Sequence, residues 1–543
     1  MSVADEFHLL ANSIVDDLLE ADPVSATSLG EHRFDDSLPD MTDAGITQQL
    51  RMVDDHAAEL DAFDDVEVDV ADLVDLEILR ARLLRSRFDL DDLRSSTWNP
   101  MLWNPGTALH LLLSRDFAPV VDRQASVLGR LAQIPDHLAS ARSQLGDMPR
   151  IHVETAIAQL DGTRSLIDGD VRDFVGDDPI VDVAAEQVAG FTTWLEDRLD
   201  SAHRDPRLGE HLYSATLWHS LDEDTSAAAV LADATAHLDW LDEELRETAA
   251  GYLGESTSSD DLVRRALDQV ALRAPVTNAD VLSRMQEALE STTLFVRAHD
   301  LVDVPDVDIR LIDMPEIHRG VAVAYCDAPG PLETADVPTY VAVAPAPSSW
   351  DAERVASFYR EYNGMQLHDL AIHEAMPGHV LQLAHAQRLV SPTTVRRFGR
   401  SGVFVEGWAV YAEQLMIDRG YVPSSEPDAG LALRLQALKM QARGAINAIL
   451  DVRVHAHDLQ EAEGLALMGD RGFQEEGEAI GKWRRALLTA GQLPTYFVGF
   501  RAVRSIVADL RVLHPDWTHR ELHDLVLAHG SPAPRHVRTL LGI

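Results

Sequence analysis

The chain has 543 residues, 46% of them hydrophobic and 25% charged, with 46 basic against 90 acidic side chains and a formal net charge of −44. That balance is that of a folded globular protein, and 31 Gly with 25 Pro are too few and too scattered for a fibrous or disordered chain. The acidity argues against nucleic acid and anionic membrane surfaces as partners, because phosphate recognition needs a basic patch.

At the N-terminus Phe7, Leu10, Ile14 and Leu18 recur at helical spacing with acids between them. The segment predicts an amphipathic helix and lacks the basic start and apolar core of a signal peptide. Residues 98–106 (WNPMLWNPG) read as a loop whose two Trp pack beneath it or line a cleft. Residues 107–146 carry apolar side chains at three- and four-residue steps, broken by Pro119 and Pro135, and Ser226–Leu253 is a further helix, ended by Gly254. From Ile309 to Pro345 the pattern changes. VAVAY (321–325) and TYVAV (339–343), separated by a turn-rich stretch, predict two strands. Helical spacing resumes from Trp350, and Thr518 with Glu521 forms a capping-box pattern opening a helix that stops by Gly530. The expected fold is mainly α with a small β-sheet near 309–345. Its parts are a helical region over 1–305, the sheet segment over 306–345 and a helical catalytic region over 346–543, joined in one compact unit.

Cys326 is the single cysteine, so an intrachain disulfide and a cysteine-based metal cluster are both excluded. No stretch approaches the ~18 apolar residues of a membrane span. The cytoplasm is the expected location, with no membrane partner.

Chemistry concentrates in His373-Glu374-Ala375-Met376-Pro377-Gly378-His379, followed 27 residues after His379 by Glu406-Gly407-Trp408-Ala409-Val410-Tyr411-Ala412-Glu413. A zinc hydrolase needs three N/O ligands, an open position for water and a carboxylate to take the proton of that water. In the usual H-E-x-x-H arrangement the two histidines are four residues apart and share a helix face. Here they are six apart, roughly 120° out of register on an unbroken helix. A bulge at Pro377-Gly378 would let both reach one ion, since proline returns no N–H and glycine tolerates unusual backbone angles. His368 and His385 flank the motif as alternative partners. Glu406 and Glu413, seven apart on one helix face, are each a candidate third ligand or a support for a ligating histidine.

HEAMPGHVLQ together with EGWAVYAE resembles the bacterial and archaeal domain-of-unknown-function family DUF885, whose members are similar to zinc peptidases of the gluzincin type. The resemblance extends to ADPVSATSLGEHRFDDSLPD (21–40), DAPGPLETADVPTYVAV and GQLPTYFVG (491–499), with Ala490 where the family usually has Pro and Val380 where many members have a second His. It implies His373, His379 and Glu406 as ligands of one Zn2+ per chain and Glu374 as general base. Tyr496 and His455 are then candidate oxyanion donors, with Asp451, one turn before His455, available to orient its ring. Arg453, Arg484 and Arg485 are candidates for pairing with a substrate carboxylate. An extended peptide adding to the TYVAV strand would supply a binding mode.

The expected function is zinc-dependent hydrolysis of peptide bonds in short peptides. The alternatives are a catalytically silent helical protein that binds peptides or a partner, and a metal-dependent amidase or esterase acting on a non-peptide metabolite. Only two of the 46 basic residues are lysines, Lys439 and Lys482, and acidic runs such as 61–72 are frequent. That composition resembles proteins of salt-loving cells, where salt screens self-repulsion, and predicts loss of stability in dilute buffer.

Overall fold

Helices begin where local capping chemistry places them. In the computed structural model, which describes residues 2–63, 68–314 and 324–543, the first helix is Val3–Ala21. Ser2 and Asp5 cap it reciprocally, and it buries Phe7, Ile14 and Leu18. Ser226 caps the helix Ala227–Leu253, and the Thr518–Glu521 box opens the helix His519–Leu527. The expected mainly α fold is observed, with one small sheet among the described residues. No described helix is long and apolar enough to cross a membrane.

The two prolines of residues 107–146 behave differently. Pro119 separates the helices Gly106–Leu113 and Val120–Gln144, whereas Pro135 lies inside the second helix without ending it. The missing N–H is outweighed by the buried Leu131, Ile134 and Leu138 on the same helix, which pack into the core. Trp98 and Trp103 are both buried and donate their indole N–H groups to the carbonyls of Leu93 and Ser96. They pack the loop instead of lining a cleft.

The chain divides into two units. The first comprises Met1–Pro206, Pro329–Val337 and Val390–Gly399. Its core is built by Val120–Gln144, Arg150–Leu166 and Pro179–Glu196 around Trp103, Leu131 and Phe191. The later segments are fastened to it by charge. His32 hydrogen-bonds Asp35 and Glu333, both at 2.9 Å, and stacks on Phe117. Arg396 donates to the buried Asp75 at 2.9 Å.

The second unit comprises Arg207–Ala328, Pro338–Leu389 and Arg400–Ile543. Its axis is the helix Ala429–Ala456, buried on nearly every face and packed against Ala227–Leu253. Even its cations are buried. Lys439 Nζ and Arg443 Nη1 lie 2.7 and 3.0 Å from the two carboxylate oxygens of Glu361. The sheet has the order β1-β3-β2, with β1 at Ile309–Asp313, β2 at Ala324–Asp327 and β3 at Thr339–Val343. β3 runs parallel to β1, Ile309 opposite Thr339, and antiparallel to β2, Ala324 opposite Val343. TYVAV is therefore a strand as expected. Of VAVAY only 324–325 are described, and they open β2, while 321–323 lie outside the described residues. β3 is paired on both sides, so it has no open edge and the idea of a peptide adding to it is overturned.

Candidate metal centre

All the motif residues belong to the second unit. The first motif helix, Gly364–Glu374, is opened by the Asn363 side chain, which accepts the N–H groups of Met365 and Gln366. It stops at Glu374, and after four intervening residues a new helix, His379–Gln387, starts. The expected bulge within one helix is thus a break between two helices. The reason is local: Pro377, joined to Met376 by a cis peptide bond, has no N–H to give to the helix. The Gly378 backbone also lies so close to the helix end that a Cβ there would fall 1.9 Å from the His373 carbonyl oxygen. Gly378 donates its N–H to the carbonyl of Ile372 at 2.9 Å, which folds His379 back toward His373.

The turn is held from outside by the helix Gly402–Asp418. The fully buried Trp408 donates its indole N–H to the Pro377 carbonyl at 2.8 Å. On the same helix Glu406 faces both histidines. Its Oε2 is 3.5 Å from His373 Nε2 and 3.5 Å from His379 Nε2, and the three atoms lie within 4.8 Å of one another. A tetrahedral ion with bonds of about 2.1 Å holds its ligand atoms about 3.4 Å apart, so these separations fit zinc. Glu406 Oε2 is moreover a buried oxygen without a hydrogen-bond partner, the state expected of a ligand atom aimed at a cation. Burial would raise the Glu406 pKa, but the two histidine rings that face it outweigh burial and hold the carboxyl below its usual range.

Glu413, two turns along, takes the other role. His373 donates Nδ1–H to Glu413 Oε1 at 2.6 Å, which leaves Nε2 facing Glu406 and His379. Asp369, one turn before His373, is also buried, and burial with the charge of Glu413 pushes its pKa well up. Glu374 is buried beside these groups, and its Oε2 accepts the backbone N–H of Cys326 on β2 at 2.9 Å. Burial raises its pKa, partly opposed by His373 and His379 and reinforced by Glu406.

Tyr496 stands at the start of the helix Thr495–Leu513. The charge of Glu406, then burial, raises its pKa, while the Arg485 guanidinium acts the other way. Backbone contact sets this position. A Cβ on Gly407 would lie 2.3 Å from the Gly499 carbonyl carbon, so the helices carrying Glu406 and Tyr496 touch through paired glycines.

Other candidates are drawn elsewhere. His455 Nε2 lies 2.9 Å from the carbonyl oxygens of both Ala486 and Thr489, and its Nδ1 accepts the Leu208 N–H at 3.4 Å. With both nitrogens engaged to backbone it has no donor left for an oxyanion, which corrects that expectation. Asp451 does not orient it: Asp451 Oδ2 accepts from the Tyr213 hydroxyl at 2.9 Å and the Gly491 N–H at 2.8 Å, and burial pushes its pKa up to about 7. His368 bonds the Tyr421 hydroxyl and His385 the Asp303 carbonyl, both at 2.8 Å, so neither joins the trio. Arg453 pairs with Glu463. Sequence reasoning missed Asp369, Gly407 and Trp408. Their signals were a carboxylate four residues before His373 and the Gly-Trp pair directly after Glu406.

Residues 23–541 match the family described as "Bacterial protein of unknown function (DUF885)", and the chain belongs to it. Among solved structures it is similar to "a putative lipoprotein of unknown function" from Shewanella oneidensis, with 27% identity and a TM-score of 0.84 over 99% of this chain and 100% of that one. It is also similar to a "putative lipoprotein" from Colwellia psychrerythraea, with 15% identity and a TM-score of 0.78 over 99% of this chain and 98% of the other. The M32 carboxypeptidase from Deinococcus radiodurans R1 shows 13% identity and a TM-score of 0.34, over 92% of this chain and 95% of that one, too low to carry an argument. No curated protein matches.

Proposed function

We propose that the protein is a zinc-dependent hydrolase that cleaves the amide bonds of short peptides, with Glu374 as general base. The observation that carries this reading is the pair of 3.5 Å separations from Glu406 Oε2 to the Nε2 atoms of His373 and His379, with the Glu374 carboxylate alongside. A zinc ion held by these three residues would lower the pKa of water to about 7 and polarise a carbonyl oxygen.

The chain's own groups account for the remaining steps. Cys326 N–H holds Glu374 Oε2, which orients the carboxylate to take a proton from the attacking water and return it to the departing amine. Glu413 fixes the His373 ring through Nδ1. The Tyr496 hydroxyl is the available donor for the oxyanion.

Metal content by mass spectrometry tests the reading, on protein purified in concentrated salt without chelator or His tag, together with a digest of short peptides. About one zinc per chain is expected, lost in His373→Ala and kept in Glu374→Gln, with turnover in the latter reduced roughly 100-fold or more. Wild-type turnover in Glu374→Gln would remove Glu374 as base. Absence of metal in the wild type would favour a peptide- or partner-binding protein, and hydrolysis confined to non-peptide esters or amides would move the substrate class.

A further inference from the structure

In a chain with 90 acids and 46 bases most cations pair with a carboxylate, but two half-buried ones on a single helix of the second unit do not. Lys482 and Arg485 lie three residues apart on the helix Glu476–Leu488, on neighbouring positions of one face. The carboxylates around them are already committed. Glu361 binds Lys439 and Arg443, and Glu478 binds Arg443 at 3.1 Å. Asp451, near Arg485, is bonded to Tyr213 and Gly491. Arg485 donates to neutral groups only: the Gln492 Oε1 at 2.7 Å and the Tyr496 hydroxyl. Lys482 makes no ion pair or hydrogen bond among the described residues; Arg443 and Arg485 act on it, and Glu478, the carboxylate that acts on it as well, is held by Arg443. Burial and those two guanidinium groups push its pKa down to about 7, so an arriving anion would relieve a real cost.

The cations adjoin the metal centre through one side chain. Tyr496 lies against the helix Ala429–Ala456 beside Arg443, where a Cβ on Gly444 would meet its Cβ at 3.9 Å. One turn later Gly499 touches Gly407, the neighbour of Glu406. Glu406 and Arg485 both act on the Tyr496 hydroxyl, in opposite directions.

We propose that Lys482 and Arg485 form a receptor for the terminal carboxylate of a peptide, so that the bond presented to Glu374 lies near the C-terminus. The inference rests on the hydrolase reading for its catalytic meaning, but the binding itself does not depend on turnover. A guanidinium offers paired donors to a carboxylate and an ammonium adds a point charge, a combination that rejects a neutral amide. An acidic side chain carries the same chemistry, and the test separates the two sources.

The test is calorimetric titration of zinc-loaded Glu374→Gln protein at one fixed salt concentration with three probes. They are N-acetyl-trialanine with a free C-terminus, the same peptide as its C-terminal amide, and N-acetyl-Ala-Glu-Ala amide. The free acid is expected to bind roughly tenfold or more tightly than its amide. That preference should disappear when Lys482→Met or Arg485→Gln is added, with zinc content and unfolding midpoint checking that each variant is folded. Equal binding of acid and amide, no binding of either, or a preference that survives in both folded variants would overturn the receptor. Binding of the Glu-containing amide as tight as that of the free acid would overturn its assignment to the terminal carboxylate. If the acid preference holds while wild-type enzyme hydrolyses no peptide, the hydrolase reading fails and the receptor stands.

Discussion

His373 and Glu413 are joined by a 2.6 Å hydrogen bond from Nδ1–H to a carboxylate that is only 2% exposed, two helical turns from Glu406. One helix thus presents one glutamate to the Nε2 atoms of two histidines and a second to the back of the first ring. The pairing fixes the tautomer of His373 and raises the basicity of the nitrogen facing Glu406.

Glu413→Ala is expected to weaken zinc binding about 10- to 100-fold while leaving all three proposed ligands in place. Competition with a chromophoric chelator measures this directly. Unchanged affinity would mean that Glu413 does not orient the ring.

Gly407→Ala should destabilise the second unit. Its new methyl would sit 2.3 Å from the Gly499 carbonyl carbon, and separating two packed helices costs about 1–3 kcal/mol or more. Denaturant unfolding at constant salt should show a lower midpoint, and Gly499→Ala should behave alike because a Cβ there would meet the Val403 carbonyl at 2.0 Å. Midpoints equal to wild type in both variants would contradict the close contact.

Trp408→Phe removes the indole N–H that the Pro377 carbonyl accepts. Leaving that buried group without its partner costs about 1–3 kcal/mol. Because the turn carries His379, zinc affinity should fall together with stability. A loss of stability with unchanged zinc affinity would show that the turn keeps its shape without this bond.

His32 gives a pH signature in the first unit. Burial would lower its pKa, but hydrogen bonds and charge from Asp35 and Glu333 raise it from 6.5 to about 9. A raised folded-state pKa means stabilisation that is complete below pH 6.5 and is lost as pH climbs through about 9. The difference in unfolding free energy between wild type and His32→Gln should therefore shrink across that interval. A difference that stays constant from pH 6 to pH 10 would show that His32 is not charged in the folded protein.

Much of the fold was legible because its signals are local. Ser2, Ser226 and Thr518 start helices through bonds spanning three residues, and the Val-rich run at 339–343 forms a strand. Pro135 misled for the opposite reason. Whether a helix survives a proline depends on what its other residues bury, and Leu131 and Leu138 bury completely.

The sequence by itself determined the residue types and spacing of His373, Glu374, His379 and Glu406, and that the helix between the two histidines must be distorted at Pro377-Gly378 for both to reach one ion, since both follow from short-range geometry; that the distortion is a full break between two helices came from the structure. Only the tertiary structure decided how equivalent residues divide their work. Glu406 and Glu413 share one helix face, yet one meets two Nε2 atoms and the other an Nδ1. Tyr496 and His455 were both candidates, yet the charge of Glu406 acts on one and the other spends its ring on backbone groups. TYVAV became the central strand, with no edge to offer. These outcomes depend on which distant segments meet, and they meet through glycine-to-glycine helix contacts and buried hydrogen bonds whose partners lie tens or hundreds of residues away.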